Sequence, residues 1–506
     1  MPDYSVLFKG MFAKRFLCHN IYMSRVNEIY ELMLHKPNAE EKRWIDKAYH
    51  FAEKAHEGQK RASGEPYFNH VLEVAKNLSK LGMDTKTIIA GLLHDSIEDT
   101  QVTEEDIDKE FGEDVLFMVN GVTKLGKVKY RGEERHVESL RKFFVAMAED
   151  ARVIIIKLAD RLHNVKTLEH IKPEKAKRIA LETIEIHAPM ANRLGMWRLK
   201  GELEDYAFPF AYPKEAKEVI SLLKQKTKAD EKYLDEVYRK LRTELAKNKI
   251  KVVDTSYRVK GTYSLYKKLK KKDMDIDKVY DIVALRVIVP TVEDCYQVLG
   301  IIHTLWRPIP GRIKDFIALP KSNGYKSIHT TIFTGNGGIA EIQIRTPEMH
   351  EQAEHGVAAF FAYKEGFNKS EKHTKWIEQF KDLQKNVANP SAFLANLKMD
   401  FFSKRIFAFT PKGAVIDLPE DSSVIDFAYA VHSNIGNHAS GAKINGKYSK
   451  LDTKLQNGDI VYVETNAKSV PNSKWLDTAK TTLARRHIKK YVDENSLLTK
   501  FMNRFR

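Results

Sequence analysis

Two histidines and two aspartates, each set in an apolar helical run, are the first residues of this chain that could do chemistry. His94 and Asp95 are neighbours in GLLHDSIEDT, with Glu98 and Asp99 one turn further on and the apolar stretch IIAGLL before them. His70 stands in YFNHVLEVA and Asp160 in VIIIKLADRLHN, where Asp160, Asn164 and Thr167 recur at i, i+4 and i+7 and share a face. Unpaired charge beside such apolar faces is costly, and a cation relieves it. Two imidazoles with two carboxylates suit Mn2+, Fe2+ or Zn2+ better than an all-oxygen Mg2+ site. Such an ion lowers the pKa of a bound water and orients a phosphate, with Glu98 or Asp99 at hand to take the proton.

A second set of acids lies on short β-branched runs: Asp281 opens DIVALRVIV and Glu341 stands in AEIQIRT. Acids beside an apolar strand are expensive unless they hold Mg2+ or work on a proton, and one or two carboxylates plus substrate phosphates is the usual Mg2+ arrangement. Upstream, YRVKGTYSLYKKLKKKDMD concentrates Arg258, Lys260, Lys267, Lys268 and the lysines at 270 to 272. That density fits a polyphosphate, although lysine runs are also solvated faces. Between the two acids, GRIKDFIALPKSNGYKSIHTT arranges Lys321, Asn323, Tyr325 and His329 around an Asn-Gly turn. A tyrosine on such a loop can stack a base or simply pack.

The elements that must carry these groups follow from periodicity. After an extension at 1–24, residues 25–205 repeat their apolar positions at helical spacing, as in WIDKAYHFAEKAH, and predict an all-helical domain. A charged helical connector follows at 206–249. From 250 to 365, runs such as KVVDTSYRVKG and DIVALRVIVP alternate with helical segments, predicting a mixed α/β domain. A helical linker at 366–403 leads to a small β-rich module at 404–466, where RIFAFTPKGAVIDLP reads as strand, turn, strand, and GAKINGKYSK followed by NGDIVYVET repeats the hairpin style. Residues 467–506 begin a further basic helical segment. The fold class is thus multidomain, α and α+β.

Composition narrows the rest. The 506 residues carry 84 Lys+Arg against 68 Asp+Glu, a net charge of +16 that favours polyanionic partners. Two cysteines exclude a zinc cluster and a disulfide framework, and the expected compartment is a reducing cytoplasm. Purely apolar stretches fall far short of the ~20 residues that cross a bilayer, so no membrane association is expected. Lys9, Lys14 and Arg15 interrupt the N-terminal apolar residues, which lack the core of a signal peptide.

Taken in order, RASGEPYFNH, LLHDSIEDT, NGVTKLGK, KLADRLHNVKTL, YSLYKKL, DIVALRVIV, GIIHTLWRPIPGRIKDFIALPKSNGYKSIHTT and AEIQIRT resemble the motifs of long RelA/SpoT homologues. The resemblance runs from about 45 to 466 and implies a helical hydrolase domain of the HD type, a nucleotidyltransferase-like synthetase domain and a β-grasp-like TGS module. It implies that His70, His94, Asp95 and Asp160 hold Mn2+, with Glu98 and Asp99 activating the water that removes a 3′-pyrophosphate from (p)ppGpp. Arg61, Ser63, Asn164 and Thr167 would bind its guanosine. In the second domain it gives Asp281 the Mg2+ role and Glu341 activation of the ribose 3′-hydroxyl of GDP or GTP, which attacks the β-phosphate of ATP. Arg258 and Arg286 would sandwich adenine, Lys260, Ser264 and Lys268 contact phosphates, and Tyr325 underlie guanine, with Lys321, Asn323 and His329 beside it. Arg312, Lys314 and Asp315 match the basic motif of members with both activities. His432 sits where the family meets the 3′ end of tRNA, which makes tRNA and the ribosome candidate partners.

This sequence also departs from the family pattern: Ala62 and Gly261 stand where basic residues are frequent, and Phe360-Phe361 replaces a usual His-Trp pair. The chain ends about forty residues after the TGS-like module, too few for the helical, zinc-finger and ACT regions of long members. Two rival readings are a tRNA- or ribosome-binding sensor with silent catalytic sites, and an HD nucleotidase acting on other phosphates.

Overall fold

The computed structural model describes residues 25–126, 150–321, 323–334, 338–356, 358 and 405–502. The extension at 1–24, the linker at 366–403 and Phe360-Phe361 lie outside these residues. The first unit is built from α1 (Asn27–Leu32), α2 (Ala39–Ala55), α3 (Phe68–Lys80), α4 (Thr85–Leu93), α5 (Ser96–Asp99), α6 (Glu104–Phe111), α7 (Glu113–Gly126), α8 (Ala151–Lys166), α9 (Pro173–Glu182), α10 (Ala188–Arg193) and α11 (Trp197–Ala211). Helix α2 shows why such segments form. Asn38 accepts from the Glu40 and Glu41 amides while the Glu41 carboxylate accepts from the Asn38 amide, and Ile45, Ala48, Tyr49 and Ala52 bury one stripe.

One expectation is corrected at the His-Asp pair. Helix α4 stops at Leu93, and Glu98 and Asp99 belong to the separate short helix α5 instead of one continuous helix. On an unbroken helix consecutive side chains diverge by roughly 100°. His94 (φ −59°, ψ −30°) and Asp95 (φ −99°, ψ −2°) keep right-handed backbone through the joint, and their side chains still meet, with His94 Nε2 3.1 Å from Asp95 Oδ2.

Helix α11 contains Pro209 and ends at Ala211, and Pro213 opens α12 (Pro213–Lys247), a single helix of 35 residues. At the joint, the rings of Phe208 and Tyr212 pack against Tyr263 and Tyr266 of α13 (Thr262–Leu269). The second unit centres on a five-stranded sheet of β1 (Asp254–Val259), β2 (Val283–Ile288), β3 (Lys314–Asp315), β4 (Ile328–Phe333) and β5 (Ile339–Arg345), in the order β1-β2-β5-β4-β3. Only β2 and β5 run parallel. Alternation gives the sheet two unlike faces. Leu285, Val287, Ile342 and Ile344 are buried in the apolar core with Cys295, Val298 and Ile302 of α14 (Val292–Leu305). Arg258, Arg286, Glu341, Gln343, Arg345 and His329 fall on the other face by register. Helix α15 (Pro347–His355) follows.

The third unit has a hairpin, β6 (Arg405–Phe409) with β7 (Val415–Pro419), then α16 (Val424–Val431), α17 (Ser433–Asn437), and a sheet of β8 (Ala439–Ile444), β9 (Lys447–Ser449) and β10 (Val461–Thr465). Asn445 (φ 51°) and Gly446 (φ 82°) make the tight turn from β8 to β9, as Asn-Gly favours. The second Asn-Gly does not close a hairpin: β10 pairs with β8, on the opposite side from β9. After α18 (Trp475–Thr478), α19 (Thr482–Met502) packs back through Ala484 and Ile488 against Ile425 and Tyr429.

Two candidate active sites

In the helical unit, α3 delivers His70, the end of α4 delivers His94 and Asp95, and one ligand atom from each of the three lies within 4.8 Å of the others. Asp160, from α8, puts Oδ1 3.3 Å from His70 Nε2 and is 4% exposed. Its carboxylate is also held by Lys157 Nζ at 2.7 Å and Asn164 Nδ2 at 2.5 Å.

Hydrogen bonds fix which ring nitrogens face this cluster. His94 Nδ1 lies 2.9 Å from the Gly91 carbonyl, so it carries a proton, and its buried Nε2 faces the cluster, 3.1 Å from Asp95 Oδ2. For His70 the logic runs through His163. Arg61 Nη1, which can only donate, lies 3.0 Å from His163 Nδ1, making that nitrogen an acceptor. His70 Nδ1, 2.7 Å from the same atom, must then donate, which turns a His70 lone pair toward Asp95 and Asp160. Burial, with His70 and Arg61 adding to it, pushes the His163 pKa down to about 3. Burial pulls His94 down as well, but Asp95 and Asp160 outweigh it and hold the group at about 9. In the absence of a cation that pKa leaves His94 Nε2 protonated against Asp95, 3.1 Å away; a divalent ion would take the proton's place, and two imidazole nitrogens with two carboxylates are a donor set that fits one.

Two groups here escaped the sequence reading. Tyr67 Oη lies 2.7 Å from Asp95 Oδ2 and 2.9 Å from Asp99 Oδ2, joining the cluster to the exposed acids of α5. His163 links Arg61 to His70. Tyr67 stands one helical turn before His70 in the quoted motif, the one signal that could have found it. Arg61 also donates to Asn164 Oδ1 at 2.6 Å and Thr167 Oγ1 at 3.4 Å, so these expected guanosine contacts do converge. Ser63 sits half-buried in the turn between Arg61 and Glu65, and Glu98 is exposed on α5.

In the α/β unit, a cleft of about 210 Å3 has Lys268, Asp281, Arg312, Lys314, His329 and Glu341 in its walls. Asp281 lies just before β2 and pairs with Lys260 Nζ at 2.6 Å and with Lys268. Burial would raise the Asp281 carboxyl, but the two ammonium groups hold it far below the usual range. Burial in turn lowers Lys260 to about 8 despite Asp281. Glu341 Oε1 takes His329 Nδ1 at 3.3 Å and Gln343 Nε2 at 2.8 Å. Those contacts outweigh burial and hold its carboxyl at about 2. Ser264 donates to Glu204 of α11 at 3.3 Å. Arg258 is exposed, while Arg286 lies diagonal to it across the β1–β2 pair with Nη1 3.5 Å from Glu354.

The Asn-Gly loop is more enclosed than its sequence suggests. Tyr325 is 7% exposed and its hydroxyl meets His329 Nε2 at 2.8 Å. Lys321 Nζ sits 4.7 Å from the Tyr325 ring, 4.6 Å from Phe316 and 4.8 Å from Trp197, the first residue of α11. Asn323 Nδ2 donates to the Asn192 carbonyl at 3.0 Å, so the helical unit covers this loop. A base can stack on Tyr325 only after part of that cover moves. Asp315 caps its own turn, accepting from the Ile317 and Ala318 amides at 2.9 Å. In the third unit His432 is exposed and caps α17, its Nδ1 accepting from the Asn434 amide at 3.1 Å.

Comparison with known proteins divides the chain in the same way. Residues 48–197 match the HD domain, 257–368 the region found in RelA/SpoT proteins, and 406–465 the TGS domain. These matches define a class of chain that joins an HD domain to a RelA/SpoT region and a TGS domain. The guanosine-3′,5′-bis(diphosphate) 3′-pyrophosphohydrolase of Aquifex aeolicus is 47% identical over 472 residues, covering 93% of this chain and 67% of the relative. A GTP pyrophosphokinase of Myxococcus xanthus is 45% identical over 457 residues, covering 89% and 60%. A solved metazoan SpoT orthologue is 32% identical over 27% of this chain and 73% of its own, with a TM-score of 0.23. The chain belongs to the RelA/SpoT family. It spans 56% to 67% of the length of three such curated relatives.

Proposed function

We propose that the chain makes and degrades (p)ppGpp at two separate sites. The observation that carries this reading is the presence, on one chain, of the imidazole-carboxylate cluster at His70, His94 and Asp95 and of the Asp281–Glu341 cleft walled by lysines and arginines. For synthesis, Glu341 is held ionised and takes the proton of the GDP or GTP 3′-hydroxyl. The oxygen attacks the β-phosphorus of ATP, the bond to the α-phosphate breaks, and AMP leaves. Lys260 and Lys268, now paired with Asp281, would turn to the phosphates as Asp281 takes up Mg2+. Arg258 and Arg286 would stack adenine, and Tyr325 would receive guanine once Lys321 and Trp197 move aside.

For hydrolysis, His70, His94, Asp95 and Asp160 would hold a divalent ion, and the mixed nitrogen and oxygen donors favour Mn2+ over Mg2+. That ion would supply Lewis acidity and a more acidic water. Glu98 and Asp99 take the water's proton, while Arg61, Ser63, Asn164 and Thr167 position the guanosine, so that GDP or GTP and pyrophosphate are released. Lys157 would keep Asp160 ionised. The TGS-like unit, with exposed His432 and the basic helix α19, would meet the 3′ end of tRNA, on or off the ribosome. The two-cysteine composition fits a cytoplasmic setting.

The test is one chromatographic assay: ATP and GDP with Mg2+, then the purified product with Mn2+. Product should form and then disappear, with Asp281→Ala abolishing only the first step and Asp95→Ala only the second. Turnover of neither, with salt-sensitive RNA binding intact, would replace this reading with that of a sensor.

A further inference from the structure

Glu341, Gln343 and Arg345 stand at alternate positions of β5 and share its polar face. Arg345 is 1% exposed and ranks among the largest fully buried side chains. Its Nε and Nη1 have no hydrogen-bond partner, and its Nη2 reaches Gln343 Oε1 at 3.2 Å. A buried guanidinium with two idle donors is a costly way to fill space, and packing alone would favour an apolar side chain.

The directions of the hydrogen bonds give this residue a task. A carboxamide can rotate by 180° and present either its oxygen or its NH2 to a neighbour. Arginine offers only donors and an ionised carboxylate only acceptors, so Gln343, set between Arg345 and Glu341, has one satisfied orientation. Its oxygen faces Arg345 and its NH2 meets Glu341 Oε1 at 2.8 Å. Among the described residues, both protein contacts of the Glu341 carboxylate, from Gln343 and His329, land on that same oxygen. We propose that Arg345 is a positioning residue for pyrophosphate transfer, locking the Gln343 amide so that Glu341 is held by Oε1 and presents Oε2 to the acceptor hydroxyl. This inference rests on the proposed role of Glu341 and adds the element that orients it.

The whole chain supplies its own control, because ppGpp hydrolysis reports folding in the same preparation. Gln343→Leu and Arg345→Met should each lower kcat of synthesis about 10- to 100-fold, the effect of losing one oriented donor, and leave KM for ATP and GDP within about twofold. The double variant should be no slower than Gln343→Leu alone, since Arg345 acts through Gln343. Arg345→Gln keeps a polar side chain but can accept as well as donate, so it no longer dictates the orientation and should fall between. It serves as the probe if Arg345→Met also loses hydrolysis. Wild-type kcat in a folded Arg345 variant, multiplicative losses in the double variant, or a loss confined to KM for GDP would each overturn the assignment. A wild-type chain that makes no ppGpp under conditions where Glu341→Ala is equally silent would instead refute the synthetase reading itself.

Discussion

Helix α13, which carries Lys268 to the cleft, begins without a side-chain cap of its own, because its N-cap residue is Gly261. The cap comes from α11. Asp205 Oδ1 accepts from the Tyr263 amide at 3.0 Å and from Thr262 Oγ1 at 2.9 Å. Gly261 is required for this: a Cβ there would lie 2.5 Å from Asp205 Oδ2. An N-cap is worth about 0.5–2 kcal/mol and a carboxylate at a helix N-terminus about 0.3–1 kcal/mol more. Burial raises the Asp205 pKa and nearby Glu204 adds to that, so its removal also relieves some strain. The net loss in Asp205→Ala is then about 1–2 kcal/mol, a roughly 5- to 30-fold rise in the open population of the first turn of α13. Hydrogen exchange of the 262–269 peptide should accelerate by that factor, synthesis should slow and hydrolysis should not. Gly261→Ala should do the same by displacing the carboxylate, and the double variant should exchange no faster than either single one. Wild-type exchange in Gly261→Ala, or effects that add, would refute the capping argument.

Other outcomes follow from single contacts. Burial lowers Lys321 to about 8, so the charge that holds it over the Tyr325 ring is lost as pH rises through that value; the cover should loosen and KM for GDP fall above pH 8, and Lys321→Arg, which stays charged, should flatten the profile. His163→Leu frees the His70 ring to adopt the other tautomer, and Mn2+ affinity measured by calorimetry on the metal-free protein should fall about 10- to 100-fold; an unchanged affinity would sink the relay from Arg61. Asp426 is fully buried and accepts from Ser423, Lys480 and Thr481, capping α16 while tying the start of α19 to it. Asp426→Ala should therefore release α19 to limited proteolysis between residues 466 and 482 while β6–β10 remain protected, at a cost of about 3 kcal/mol or more.

What the sequence could convey depended on how local the signal was. His70, His94, Asp95 and Asp160 are marked by polar types inside apolar runs, and the strand face bearing Glu341 by alternation within AEIQIRT. The joint after Leu93 has no mark in the sequence, since IIAGLLHDSIED keeps helical spacing across it and the backbone of His94 and Asp95 stays right-handed. His163 was passed over because its partners, Arg61 and His70, are 102 and 93 residues away. Gln343 and Arg345 lay inside a quoted motif yet read as ordinary strand residues, because amide orientation has no signature in composition. Tyr325 looked like a loop residue free to stack; its cover comes from Trp197, in a different unit of the fold.

Helix α11 runs without interruption from Trp197 to Ala211, through the point at 205/206 where composition alone would divide one domain from the next. Its Glu204 is bound by Lys200 of the same helix and by Lys267 and Ser264 of α13. A synthetase fragment excised at that point would leave behind both acidic residues that anchor its phosphate-facing helix, and Lys267 would become an unneutralised charge beside an already basic cleft. A fragment that keeps these anchors on the α/β unit must therefore begin inside what looks like its neighbour, upstream of Glu204. The last helix of one unit is, in folding terms, the first helix of the next.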